Sequence, residues 1–211
     1  MSRRALIVST LLLLAGPATM WAQRFEVAPY VGYRLGGTFT NVSDPTNPAV
    51  TGLKADNSLA FGIVADVRIT GTVYIEAFFD RQPTTLKADI PNNPIDLFDV
   101  KIDWYHIGLR FETPRQDEPK PQGFLSVTFG ATNFIPESGY SGETKASFGA
   151  SLGGEYFFHK NVGAMLLGRY VATFFNSGDQ YFCLDEGPCF ILPSSTTFHQ
   201  FEISGGVSVA F

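Results

Sequence analysis

After Ala22 the chain lacks any apolar run near the ~20 residues that a membrane-spanning helix needs, so helical spans are excluded beyond the N-terminus. It is also short of charge. Asp, Glu, Lys and Arg make up 17% of residues, where a soluble domain usually carries about a quarter. No positive excess is present: the net charge is -5, and removing Arg3 and Arg4 takes it to -7, so a polyanion-binding role has no support from charge and no nucleic acid is expected as a partner. The two cysteines, Cys183 and Cys189, sit in a segment with too few soft ligands for a metal site. Gly153-Gly154 and Gly205-Gly206 fall inside strand-like patterns rather than in a strand-to-helix turn, so they are not phosphate loops and no cofactor is expected. Glycines so placed relieve crowding or let a sheet bend.

What is present begins with the N-terminus. Arg3 and Arg4 precede an apolar stretch from Ala5 to Ala15, broken only by Ser9 and Thr10. Gly16-Pro17 ends it, and Met20-Trp21-Ala22 precedes Gln23. The stretch is too short to span a bilayer and has the layout of a secretion signal. Residues 1–22 are therefore expected to be cleaved, leaving residues 23–211 as one domain beyond the inner membrane. No cysteine lies near the cut, so no lipoprotein anchor is expected. In an oxidising compartment Cys183 and Cys189, six residues apart around Gly187-Pro188, are expected to pair as a disulfide.

The rest of the chain alternates. Eight strands are predicted over about 24–36, 58–69, 73–80, 100–111, 123–134, 144–158, 162–175 and 200–211. In the last, Phe201, Ile203, Val207, Val209 and Phe211 share one face, while Gln200, Glu202, Ser204, Gly206, Ser208 and Ala210 share the other. The other strands divide in the same way. One face is aliphatic and aromatic. The opposite face collects ten charged residues, Glu26, Arg34, Asp66, Arg68, Glu76, Asp80, Arg110, Glu155, Arg169 and Glu202, among Gly, Ser and Ala. A soluble barrel or sandwich would bury the aliphatic face and expose the charges. Ten charges cannot fill an apolar core, because each unpaired one costs several kcal/mol. The charged face is therefore assigned to a lumen and the apolar face to lipid.

The fold expected is an all-β, eight-stranded, antiparallel up-and-down transmembrane barrel. Its interior is just filled by side chains. Arg110 and Arg169 are expected to sit among Asp66, Glu76, Glu155 and Glu202 as an ion-pair network. The long connections, about 37–57, 81–99, 135–143 and 176–197, alternate with shorter ones. That places all long loops at one end, outside the cell. A hairpin hidden in 37–57 or 81–99 would raise the count to ten strands. Aromatic residues cluster at strand ends: Phe25, Phe111, Phe158 and Phe211 at one, Tyr33, Phe79, Tyr105, Phe134, Phe174 and Phe201 at the other. These resemble interfacial girdles.

In Phe124–Phe134, Phe148–Phe158, Leu167-Gly168-Arg169-Tyr170 and the terminal Phe211, the chain resembles the small OmpA-like outer-membrane β-barrel proteins of Gram-negative bacteria. The resemblance implies an integral outer-membrane location, contact with outer-membrane lipid, and a C-terminal strand read by the barrel assembly machinery through Phe211. It carries over no catalytic residues. The function expected is non-enzymatic, structural or in cell-surface interaction. A small pore or a carrier of a small or hydrophobic solute is the alternative, disfavoured by a filled lumen. A lipid-modifying enzyme would need a serine, a histidine and an acid converging near His199, where only Thr197 and Phe201 share the face. The loops at 37–57 and 176–197 are candidates for an external ligand or surface. The second, with Tyr181, Phe182 and Phe190, could present a stapled apolar surface or cap the barrel.

Overall fold

In a computed structural model, residues 25–40, 50, 52–90, 95–114, 121–137, 139–176, 180–183, 189–191 and 196–211 are described. The expected signal peptide and its cleavage site lie outside them. The strands are β1 (Phe25–Gly36), β2 (Thr38–Thr40), β3 (Gly52–Ala55), β4 (Ser58–Thr70), β5 (Val73–Asp89), β6 (Ile95–Glu112), β7 (Gln122–Pro136), β8 (Glu143–Phe157), β9 (Val162–Phe175), β10 (Gln180–Tyr181), β11 (Phe190–Ile191) and β12 (Thr196–Ala210).

Eight long strands, β1, β4 to β9 and β12, close into an antiparallel barrel. Each pairs with its sequence neighbour, and β12 pairs back onto β1. At the closing seam Phe211 N donates to Phe25 O at 2.8 Å, and the two rings lie 6.1 Å apart. The connections after β4, β6 and β8 open on the same end as Phe25 and Phe211.

The region 37–57 does hide a short strand pair, β2 with β3, but it adds no stave. The register Arg34–Ser58 continues in step as Thr38–Lys54. β1–β2 and β3–β4 are thus two broken halves of one hairpin. The break on the ascending side falls at Gly36 (φ 82°) and Gly37 (φ 97°). Both conformations favour glycine, and a Cβ on Gly37 would collide with the ring of Phe198.

Residues 81–99, expected as a loop, are mostly strand. β5 runs to Asp89 and β6 starts at Ile95. Pro83 lies within β5, although proline cannot donate to a ladder. Here it faces the break between β3 and β4, where no ladder bond is due: β4 pairs with β5 up to Arg81, and β3 resumes at Leu86.

Side chains alternate in and out along every long strand, and the polarity of the two faces changes along the barrel axis. Toward the end bearing Phe25 and Phe211, outward residues are apolar and exposed, such as Ile75, Ile107, Leu109, Leu125, Phe129, Leu152, Leu166 and Ile203. Inward residues there are largely polar. Past Asp80 the pattern inverts. On β5, Leu86 and Ala88 point in, while Thr85 and Lys87 point out. On β6, Phe98, Val100 and Ile102 point in, while Asp99 and Lys101 point out. The outward residues pair with one another: Lys101 Nζ with Glu137 Oε1 at 2.9 Å, and Lys87 Nζ with Asp56 Oδ2 at 2.7 Å and Asp96 Oδ1 at 3.3 Å. Hydrogen bonds to Asp56 and Asp96 hold the Lys87 ammonium above its ordinary pKa. A lipid-facing barrel therefore carries, on the same strands, a water-facing extension with an apolar core.

Candidate functional site: the filled lumen and its aromatic cap

The lumen is occupied in tiers. Nearest the short-turn end, Arg110 reaches Asp66 Oδ2 at 2.8 Å, Glu112 Oε1 at 2.7 Å and Glu155 Oε1 at 2.8 Å. Its guanidinium lies 3.8 Å from the centroid of the Phe124 ring. Ser208 donates to Glu155 at 3.1 Å. Glu26, also buried, stands opposite Asp66 in the ladder.

In the middle tier Glu76 accepts a hydrogen bond from Ser126 at 2.9 Å. Arg169 donates to Tyr30 OH at 2.7 Å and to Ser151 Oγ at 3.2 Å, and stacks on Phe78 at 3.6 Å. His106 stacks on the same Phe78, with ring centroids 4.8 Å apart. Its two nitrogens meet Thr128 Oγ1 at 3.1 Å and Ser147 Oγ at 2.8 Å.

The upper tier centres on Arg34, which is fully buried. It forms an ion pair with Asp80, bonds Glu202 Oε2 at 3.1 Å, and lies 3.3 Å over the Trp104 ring. Gln82 links it to Gln200 through a bond of 2.9 Å. Together the pairs answer the desolvation cost of burying charge, and the small residues facing them leave room for the long side chains.

Of the residues expected in the network, Asp66 and Glu155 meet at Arg110, and Glu76 is held by a serine. Glu202 stands in the ladder between Arg34 and Arg169 and makes its ion pair with Arg34. Arg169 makes its hydrogen bonds to Tyr30 and Ser151. Arg34 and Asp80, assigned to the lumen face from sequence but not to the named network, complete the pairs with Glu112, which was assigned to neither. Setting the last strand antiparallel to the first would have found one of them, because Arg34 and Glu202 are direct ladder partners.

Above the upper tier lies an aromatic cap. Phe39, Phe134, Phe175 and Phe198 interlock with ring centroids between 4.5 and 6.3 Å apart. Phe134, expected in the outer aromatic girdle, instead points inward and is fully buried, because its even parity on β7 faces the interior. Phe25, Tyr33, Tyr105, Phe111, Phe158, Phe174, Phe201 and Phe211 are exposed on the outer surface. Cys183 and Cys189 are bonded to each other, and next to them Tyr181 and Phe182 turn into the cap and are buried. His199 is exposed on the outer surface, with Nδ1 bonded to Tyr170 OH.

A closed barrel, apolar toward lipid and charged within, is the architecture of one bacterial envelope class. The pattern of the outer membrane protein beta-barrel domain matches residues 8–211. The chain belongs to this family. The grouping is broader than the OmpA-like resemblance suggests. Among solved structures the chain is similar to Neisserial surface protein A, at 15% identity over 90% of this chain and 98% of that one, with a TM-score of 0.54. It is similar also to the outer membrane protein OprG from Pseudomonas aeruginosa, at 13% identity over 90% and 96%, with a TM-score of 0.63. A third is the outer membrane protein AlkL in lipid bilayers, at 13% identity over 93% and 94%, with a TM-score of 0.50. Among curated protein sequences none matches. As a member of the outer membrane beta-barrel family, the protein resides in the outer membrane.

Proposed function

We propose that this outer-membrane barrel is non-enzymatic and sealed, and that it acts as a membrane anchor presenting a folded extension for structural or cell-surface contact. The observation that carries this is the tiered interior. Three buried arginines, Arg34, Arg110 and Arg169, fill the lumen with their partners, and an apolar cap of aromatic rings lies over them. A permeation path needs hydrated polar surface, and a close-packed interior offers none. The outward polar residues of the extension, among them Lys54, Lys87, Asp96 and Lys101, are the surface available to a partner outside the cell. Tyr181 and Phe182 are spent on the cap. Contact with an external partner through 37–57 is therefore expected to be polar. The C-terminal strand ending in Phe211 is proposed as the segment recognised during assembly.

The test is a planar bilayer containing the folded, heat-modifiable protein. Silence is expected, with no discrete conductance steps in molar potassium chloride. Regular, reproducible steps would overturn the sealed-barrel reading in favour of a pore.

A further inference from the structure

The segment from Gln180 to Cys183 is unusual for a surface connection, because its two aromatic side chains point inward. Tyr181 is 1% and Phe182 2% exposed. Phe182 sits between Phe98 and Phe134, with ring centroids 5.8 Å from each, and 6.3 Å from Phe39. Tyr181 meets Phe175 edge-on at 5.1 Å, with Lys145 Nζ 4.4 Å over its ring. To seat its ring, Phe182 takes φ 49°, a left-handed conformation that costs a residue other than glycine.

Short-range ties hold the segment in that state. The β10–β11 pair has two residues a side, too few to hold itself. Cys183 and Ser141 exchange two bonds: Cys183 N donates to Ser141 Oγ at 3.0 Å, and Ser141 N to Cys183 O at 2.8 Å. Tyr181 OH is tied to Asn176 as well, accepting from its N–H at 3.1 Å and donating to its carbonyl at 3.2 Å. A further tie is covalent, and it is made by the residue directly after Phe182. Cys183 and Cys189 are both only partly buried.

We propose that the Cys183–Cys189 disulfide is a redox latch that keeps Tyr181 and Phe182 seated as a plug in the extracellular end of the barrel. The closed state is the oxidised one. A small external dithiol opens it by thiol–disulfide exchange. One thiolate of the dithiol attacks a sulfur of the pair and forms a mixed disulfide. The second thiolate displaces it. The dithiol ends as a cyclic disulfide, and the two electrons and two protons it gives up leave Cys183 and Cys189 as thiols. Without the bond, the positive-φ residue relaxes and the two rings leave. Phe39, Phe134, Phe175 and Phe198, which lie above Trp104, then become the outermost layer of the cap. The barrel wall below, paired strand to strand, stays intact.

The chain from Gln23 onward has Trp104 as its sole tryptophan, fully buried in the same apolar cluster, and this makes a direct reporter. The protein is folded into phosphatidylcholine vesicles, and quenching of Trp104 by acrylamide is measured before and after dithiothreitol. Alkylation and mass measurement count the freed thiols. Weak quenching is expected in the oxidised state. A severalfold rise in the quenching constant is expected on reduction, reversed on reoxidation, with the heat-modifiable band unchanged. A Phe182→Gly variant with the disulfide intact should show the raised quenching without reductant. Unchanged quenching in protein whose two thiols have both been alkylated refutes the latch, whatever Phe182→Gly does. Loss of the heat-modifiable band on reduction refutes it too, since the bond would then staple the whole barrel.

Discussion

The clearest test of the filled lumen is to remove Arg34 in two ways. In Arg34→Met an unbranched apolar stem remains but the guanidinium and its charge are lost. Asp80 and Glu202, both at 0% exposure, are left without their cation. Taking one partner from a buried ion pair costs about 3–5 kcal/mol, because the remaining charge stays desolvated. Loss of the stacking on Trp104 adds to this, up to about 2 kcal/mol for a desolvated cation–π contact. The second variant replaces all three groups with apolar ones of similar size: Arg34→Met, Asp80→Leu and Glu202→Met. Such wholesale replacement is often neutral, or stabilising by about 1–4 kcal/mol. The single variant should therefore be less stable than the triple. The assay is urea unfolding in lipid, followed by the heat-modifiable band and by Trp104 emission, which reports on the site itself. A single variant within about 1 kcal/mol of wild type would refute the reasoning. It would mean that water already solvates Asp80 and Glu202, and the lumen would then be a hydrated path.

Leu152 lies on the lipid face midway along β8 and is 68% exposed; Leu152→Arg should cost about 2–4 kcal/mol in a bilayer, and an unchanged urea midpoint would place that face in water. Gly130 and Tyr105 approach so closely that a Cβ on Gly130 would overlap the Tyr105 carbonyl oxygen. Gly130→Ala should therefore cost about 1–3 kcal/mol by forcing the β6–β7 ladder apart, with near-wild-type stability counting against the close approach. Phe211→Ala loses one exposed ring and its contact with Phe25, so refolding in vitro should change little while the folded outer-membrane fraction in cells drops; equal fractions in cells would remove Phe211 from the assembly signal.

The membrane half of the barrel was legible because period-two alternation and a charge-free outer face are both local signals. Ile75, Ala77 and Phe79 against Tyr74, Glu76 and Phe78 can be sorted without knowing any partner strand. The long-range partners were less legible. Arg34 binds Glu202 across 168 residues and Asp80 across a different strand, and only the register decides which carboxylate a given arginine meets. The extension was missed for another reason. Strands are identified by apolar outer faces, and in the extension Thr85, Lys87 and Asp99 put polar groups there. Here the outer face is wet and the inner one apolar, so the same strand carries the opposite code above and below Asp80. Tyr181 and Phe182 were seen as an aromatic loop, but whether they face out or in depends on the cap that receives them.

That inversion implies that the two halves are held by different forces. Below Asp80 the outer surface meets lipid whether or not neighbouring strands pack well, so hydrophobic burial contributes little there. Ladder bonds with no water to compete, and buried ion pairs, hold that half. Above Asp80 water lies outside, and rings such as Phe39, Phe134, Phe175 and Phe198 each contribute about 1.5–3 kcal/mol by leaving it. Urea weakens hydrophobic burial and solvates exposed backbone, so it should act on the extension first. Amides of Leu53, Leu86, Val100 and Phe198 should exchange at urea concentrations where Glu76, Leu109 and Leu152 remain protected. Replacing Cys183 and Cys189 by serine frees a loop whose ends are six residues apart, which is worth about 2 kcal/mol of closure entropy. It should lower the first transition and leave the second where it was. A single transition at which all of these amides exchange together would show that the strands transmit stability along their whole length, and that the change of face polarity does not divide the barrel.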